Sequence, residues 1–289
     1  MGSFEDARSA FQRADYSLAA RLFRPFAEQG LASAQNDLGV MYLDGKGVSQ
    51  DAREAVKWFR KAAEQGLKSA QFNLGLIYDK GKGIPQDAQE AVEFYRMVAE
   101  QGHTGAQNNL GVMYLDGKGV LQDAREAVKW FRKAAEQGHA GAQSNLGVLY
   151  RDGNGVSQDA QEAVEWYRKA SEQGDAEAQY SLGLMYAEGQ SVPQDYEEAV
   201  KWFRKAAEQG DAGAQNNLGL MYEYGYGVLQ DFIRAHMWFN IAGSALSVDE
   251  GKKAVKNRDT VAKRMTAAQI GKAQEMARRC QDTKFKECD

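Results

Sequence analysis

Apolar and polar positions along this chain follow two periods, one near 3.6 residues within short segments and one of 36 residues over most of the length. Blocks beginning at Ala34, Ala70, Ala106, Ala142, Ala178 and Ala214 follow one another without insertion. Each opens Ala-Gln and carries Leu-Gly (Leu38-Gly39 in the first), with a tyrosine three residues after that glycine: Tyr42, Tyr78, Tyr114, Tyr150, Tyr186 and Tyr222. All five tryptophans share one register, at Trp58, Trp130, Trp166, Trp202 and Trp238, and Phe94 fills it in the second block. The blocks from Ala34 and Ala106 differ at only five positions, which points to duplication of a two-repeat unit.

Each block predicts two helices. Helix A carries Ala34, Leu38 and Tyr42 at helical spacing, with Gly39 on the same side to admit a close neighbour, and stops at Gly45. Helix B starts at Asp51, a good N-cap with Glu54 three residues on, and the pattern recurs through Asp195/Glu198. Its apolar face runs through Ala55, Val56, Phe59, Ala62 and Ala63, and Gly66 is placed to end it in the left-handed conformation. One such hairpin cannot bury its aromatic face, so stacking of neighbours must supply the core. The prediction is an all-α fold, a right-handed α-solenoid (superhelix) of 36-residue antiparallel helix pairs.

The ends depart from the pattern as caps should. Residues 1–33 read as a partial repeat, with a helix over 4–14 and a second from Asp15 to Gly30 that Pro25 is expected to bend or break. Six repeats follow: 34–69, 70–105, 106–141, 142–177, 178–213 and 214–249. Residues 250–289 form a C-terminal helical cap, its helices announced by capping boxes at Ser247/Glu250 and Thr266/Gln269.

Composition changes this picture little. The chain has 289 residues, 43% hydrophobic and 26% charged, with three prolines. A net charge of -4 spread along the chain argues against nucleic acid, which wants a basic stripe. No stretch approaches the length of an apolar membrane span. The start, Met-Gly-Ser-Phe-Glu-Asp, lacks the regions of a signal peptide, and fits either a true start or a chain whose signal was cut away. Cys280 and Cys288 are an even pair, which suggests one disulfide and an oxidising compartment, periplasmic or secreted; the alternative is two reduced thiols in cytosol. Two thiolates without a nearby histidine make a poor zinc site.

The unit Ala-Gln-x-x-Leu-Gly-x-x-Tyr-x-x-Gly-x-Gly-Val-x-Gln-Asp, followed by Ala-x-x-Trp-Phe/Tyr-x-x-Ala-x-x-x-Gly, resembles the Sel-one-like repeat (SLR), a relative of the tetratricopeptide repeat with a longer turn between its helices. The resemblance covers residues 34–249 and, more loosely, both caps. It implies an adaptor that assembles complexes, including bacterial exported proteins that contact host or envelope components. Cysteine-rich secreted bacterial members carry a cysteine pair of the same spacing in every repeat, whereas this chain has it once.

Motifs that carry chemistry do not emerge. Gly45–Gly47 lacks the spacer and Lys-Ser/Thr ending of a phosphate loop, and no zinc-protease or nucleophile-elbow pattern occurs. His103 and His139 share a register in the turn between repeats, where they read as surface variation, and His236 reads as packing. The chain is expected to be a non-enzyme without cofactor or metal.

Function is therefore expected on a surface. In tetratricopeptide arrays helix A lines the concave side, which places Asn36, Val40 and Leu43 on one groove-facing stripe, flanked by Asp37 and Asp44. Through the stack the first position reads Asn36, Phe72, Asn108, Ser144, Tyr180, Asn216, and its neighbour reads Asp37, Asn73, Asn109, Asn145, Ser181, Asn217. The helix end reads Leu43, Asp79, Leu115, Arg151, Ala187, Glu223. An asparagine ladder can pair with an extended backbone, Phe72 and Tyr180 would anchor it, and Arg151 could hold a carboxylate. Alternatively these polar groups only satisfy neighbouring helices. The cluster of Tyr222, Tyr224 and Tyr226 is a second candidate surface. The expected function is a monomeric protein-interaction scaffold that binds a protein or peptide in this concave groove. The alternatives are an exported cell-envelope (peptidoglycan-related) binding protein and a module that self-assembles end to end.

Overall fold

The computed structural model describes residues 3–244, 248–286 and 288, and places sixteen helices and no strand among them. They fall into two compact units, Met1–Gln137 and Gly138–Asp289. The first holds α1 (Phe4–Gln12), α2 (Tyr16–Glu28), α3 (Ala32–Asp44), α4 (Ala52–Glu64), α5 (Lys68–Lys80), α6 (Ala88–Ala99), α7 (Thr104–Asp116) and α8 (Ala124–Glu136). The second holds α9 (Ala140–Asp152), α10 (Ala160–Glu172), α11 (Ala176–Glu188), α12 (Tyr196–Ala207), α13 (Ala212–Tyr224), α14 (Phe232–Gly243), α15 (Val248–Ala262) and α16 (Ala267–Asp282). Within each unit, every helix packs on the next in sequence up to α14, which carries both α15 and α16.

The repeated residues explain the repeated helices. Helix A ends where Gly45 takes a left-handed conformation, φ +69°, which other residues adopt only at a cost. The turn that follows is closed by the Gln50 side chain, which donates to the Leu43 carbonyl at 2.8 Å. Asp51 then caps α4 by accepting from the backbone N–H groups of Arg53 and Glu54. The anticipated reciprocal role of Glu54 is not what the structure shows, since its carboxylate instead meets Lys57 one turn on. Gly39 sits under the Phe59 ring, and a Cβ there would lie 2.8 Å from that ring. Rings fill this register throughout, at Phe23, Phe59, Tyr95, Phe131, Tyr167, Phe203 and Phe239, all fully buried.

Polar side chains lock the stacked helices. Gln35 is buried and donates to the Ala27 carbonyl at the end of α2, while Gln65 donates to Gln35 at 2.8 Å. The repeated tyrosine is only partly buried at Tyr42, and its role is polar: its hydroxyl accepts from Arg24 of the preceding helix B at 2.8 Å. The same pair recurs as Arg60–Tyr78, Arg96–Tyr114, Arg168–Tyr186 and Arg204–Tyr222. Met41, rather than the tyrosine, completes the buried stripe of α3 with Ala34 and Leu38.

The ends bring one correction and one extension. α2 runs unbroken through Pro25. Proline removes the bond its own N–H would make, but its carbonyl still accepts from Gln29 at 3.0 Å and the helix ends within a turn. The Thr266 capping box forms as expected; Ser247 lies outside the described residues. α15 keeps the repeat register. Arg258 donates to Asn240 at 3.3 Å, and these positions lie 36 residues beyond Tyr222 and Arg204, so the arginine–tyrosine bond is replaced by one of reversed polarity. Cys280 and Cys288 are joined as a disulfide, with Cα atoms 4.5 Å apart, which ties the chain end to α16.

Candidate binding face

In the first unit the predicted stripe lies where helical periodicity puts it. Asn36, Val40 and Leu43 on α3 are half-buried, and Asp44 is exposed. The asparagines are engaged with one another. Asn73 on α5 donates to Asn36 at 3.1 Å, Asn36 reaches Asp37 at 3.4 Å, and Asn108 reaches Asn109 at 3.4 Å. The ladder thus links adjacent A helices, with Asn73, Asn108 and Asn109 each still half-exposed. Phe72 is a wedge: its ring lies 4.5 Å from His103 and 5.9 Å from Tyr95, over Gly105, whose missing side chain makes room for it. The acids at the ends of these A helices are paired with neighbouring lysines, Asp44 with Lys46 at 3.0 Å, Asp79 with Lys80 at 3.4 Å and Asp116 with Lys118 at 3.0 Å. The Tyr95 hydroxyl has its pKa pushed up, first by burial and then by the Asp79 charge.

At the start of this face, α1, α3 and the start of α5 border an open cavity of about 430 Å³. Phe4, Phe11 and Phe23 form its apolar wall, and Arg8, Asn36 and Asp37 bring polar groups to it. Burial holds the Asp37 carboxyl above the usual carboxylate range, opposed by the Asn36 amide and the Arg8 charge.

In the second unit Ser144 and Ser181 are buried, Asn145 and Asn217 are half-exposed, and Tyr180 wedges against Phe203 at 6.0 Å and over Gly213. Arg151 is held in a two-pronged bond to Asp152, at 2.8 and 3.0 Å, so an incoming carboxylate would compete with that partner. Asn216 is covered: only 6% exposed, it accepts from Asn257 of α15 at 2.9 Å. Glu223 is buried as well, its pKa raised by burial against the lowering effect of Arg264. In the tyrosine cluster Tyr222 is buried, whereas Tyr224 and Tyr226 are exposed and stacked at 5.6 Å, with Tyr226 stacked on Tyr196 at 4.8 Å.

His103 and His139 turn out to be helix caps. The Nδ1 atom of each accepts the third backbone N–H of its helix, from Ala106 at 3.1 Å and Ala142 at 3.2 Å. Asp175 and Asp211 do the same in the same register, and this equivalence was the available sequence signal. His236 is buried in α14. Among the described residues no three His, Cys, Asp or Glu side chains gather into a metal site, and no helix is long and apolar enough to cross a membrane.

Comparison with known proteins places these features. The family model described as the Sel1 repeat matches residues 8–31, 32–67, 68–103, 104–139, 140–175, 176–211 and 212–245. A Sel1 repeat protein from Oxalobacter formigenes, known from its crystal structure, is 35% identical and superposes with a TM-score of 0.76, covering 84% of this chain and 98% of its own. The protective antigen c5321 of uropathogenic Escherichia coli, whose structure displays an SLR fold, is 29% identical over 94% of this chain and 81% of its own, with a TM-score of 0.49. No match is found among curated proteins. With seven matched segments over helix pairs built on one set of locking residues, this chain belongs to the Sel1 repeat family and folds as its α-solenoid.

Proposed function

We propose that this chain is a non-enzymatic scaffold that holds a protein or peptide partner on the exposed faces of its A helices, in an oxidising compartment outside the cytosol. Sel1 repeats, like their tetratricopeptide relatives, are in general protein-interaction scaffolds and typically non-catalytic. The observation that carries the proposal is where the repeats differ. Buried registers hold Ala, Leu, Gly and a ring in repeat after repeat, while the registers of Asn36 and Leu43, half-exposed except at Ser144, Asn216 and Glu223, change between amide, hydroxyl, aromatic, aliphatic, acid and base. Packing fixes the first set, and a partner is the reason offered for the second. Each unit brings its own proposed contact residues, Phe72, Asn73 and Asn109 in the first and Asn145, Arg151, Tyr180 and Asn217 in the second. The Cys280–Cys288 disulfide supports the oxidising compartment.

The test uses residues the chain itself places at these registers. A Phe72→Asn/Asn109→Ser/Tyr180→Ser variant should keep its helical circular dichroism and lose, in affinity capture from native lysate and culture supernatant, a protein that the unaltered chain retains. Identical captures would remove the A-helix face from consideration.

A further inference from the structure

The cavity at the start of the first unit has a chemistry distinct from the rest of the A-helix face, and the chain's own near-duplicate shows it. Blocks 34–69 and 106–141 differ at five positions, 37, 49, 67, 68 and 69. Three of those, Asp37, Leu67 and Ser69, line this cavity. Divergence between two otherwise matching blocks is thus concentrated on one small space, which the N-terminal helix α1 completes with Phe4, Arg8 and Phe11. Its volume, about 430 Å³, lies within the range of small-molecule sites, which are mostly apolar with a few placed polar groups.

The charges select the ligand. Asp37 is the one acid in a register that otherwise holds Asn73, Asn109, Asn145, Ser181 and Asn217. It is half-buried, and its hydrogen bond comes from the neutral Asn36 amide at 3.4 Å, while Arg8 acts on it as a charge. A carboxylate drawn into an apolar space costs free energy unless a cation meets it. A plain cation would be repelled by Arg8, and a plain anion by Asp37. An apolar body bearing both charges satisfies the whole set.

We infer that this cavity binds a small zwitterion with an apolar side chain, an α-amino acid or a short peptide, its ammonium against Asp37, its carboxylate against Arg8 and its side chain among Phe4, Phe11 and Phe23. The cavity lies at the start of the same A-helix face but is lined by none of Phe72, Asn109 and Tyr180, so loss of capture by the variant at those three positions neither supports nor removes it.

Calorimetric titration of the full chain with leucine, phenylalanine and leucyl-leucine tests this directly. Saturable one-to-one binding is expected, and the tighter of the free amino acid and the dipeptide identifies the source. N-acetylleucine and leucinamide should each bind roughly tenfold or more weakly, as loss of one charged hydrogen bond implies. Asp37→Asn and Arg8→Gln should weaken leucine to a similar degree. Asn at this register already occurs in the near-identical block, so the Asp37→Asn protein should melt like the parent and its loss of binding report on the site. Leucinamide binding as tightly as leucine would show a plain cation site and overturn the inference. N-acetylleucine binding as tightly, an Asp37→Asn protein with unchanged affinity, or no saturation by any zwitterion at millimolar concentration would do so equally.

Discussion

The two ends of the chain treat the same helix face in opposite ways. Asn36 and Asn216 share a register, and each accepts an amide hydrogen from an asparagine on the next element of the A-helix layer, Asn73 at 3.1 Å and Asn257 at 2.9 Å. Yet Asn36 stays half-exposed beside an open cavity, and Asn216 is buried. The difference lies in what was done to the repeat. The N-terminal hairpin joins α1 to α2 through residues 13–15 alone, where a full repeat uses 45–51, and the shortened hairpin leaves space over α3. At the C-terminal end α15 continues the 36-residue register and covers α13, taking Asn216 and Glu223 out of solvent. A cap that keeps the period closes the face; a truncated one leaves it open, with an acid, a base and three rings around the opening.

The largest effect should come from the terminal rings. Phe23 and Phe239 are the first and last of the buried series, at 1% and 0% exposure. If both caps close the core equally well, replacing either ring by alanine should cost about 3–5 kcal/mol, the usual range for a buried aromatic. Urea unfolding of each variant measures this. A cost at Phe23 well below that at Phe239 would show that the short N-terminal hairpin frays on its own, which nearest-neighbour stability permits, and the ends would then differ in strength as well as in exposure.

A smaller effect separates the two asparagine bonds. Asn257→Ala leaves the Asn216 amide buried without its donor, which should cost about 1–3 kcal/mol. Asn73→Ala leaves Asn36 half-exposed, where water replaces the lost partner, so about 1 kcal/mol or less is expected. Equal costs, read from the same unfolding curves, would mean that α15 does not shield Asn216 in solution. Removing both Asn216 and Asn257 should recover part of the loss, because no orphaned amide remains.

Much of this was readable in the sequence, and the parts that were not share a cause. Asp51, Gly45 and Gly39 act through local backbone geometry, so their spacing alone predicts the cap, the turn and the close approach to Phe59. The stripe through Asn36, Val40 and Leu43 follows from one helical period. What the stripe touches does not, because contacts between helices depend on their separation. Phe72 and Tyr180 read as free anchors, yet each fills the gap over a glycine in the next repeat, Gly105 or Gly213, and that glycine was the unread signal. The conserved-looking tyrosine of each block reads as core, whereas its hydroxyl is tied to an arginine 18 residues earlier. The histidine caps share their register with the aspartate caps Asp175 and Asp211, which was the signal to read, although imidazole caps a helix only through an unprotonated nitrogen. The presence of Arg8 and Asp37 in the lining of one cavity depends on α1, a helix outside the repeat register.

The smallest predicted effect is one of pH, and it should appear at one end only. His236 in α14 is buried, its Nδ1 has no hydrogen-bond partner among the described residues, and α15 sets Arg258 and Asp259 near it. Burial lowers its pKa below that of a free imidazole, Arg258 lowers it further, and Asp259 opposes them. As pH falls through the ordinary value, about 6.5, the unfolded chain takes up a proton that the folded chain refuses. Stability is therefore full above that value and declines as the solution is acidified, until the depressed folded pKa is reached. One proton limits the slope to about 1.4 kcal/mol per pH unit. His103, whose pKa burial also lowers, adds a term of the same sign in the first unit, so the two must be separated. His236→Val, the residue this register holds at Val200 and Val164, should remove the acid slope from hydrogen exchange of α14 while leaving α7 unchanged. At the N-terminal end the same register holds Ala20, which does not titrate. Exchange in α2 should therefore be flat over the same range, and an equal acid slope in α2 and α14 would mean that acidification loosens the chain through its carboxylates and not through the covered end.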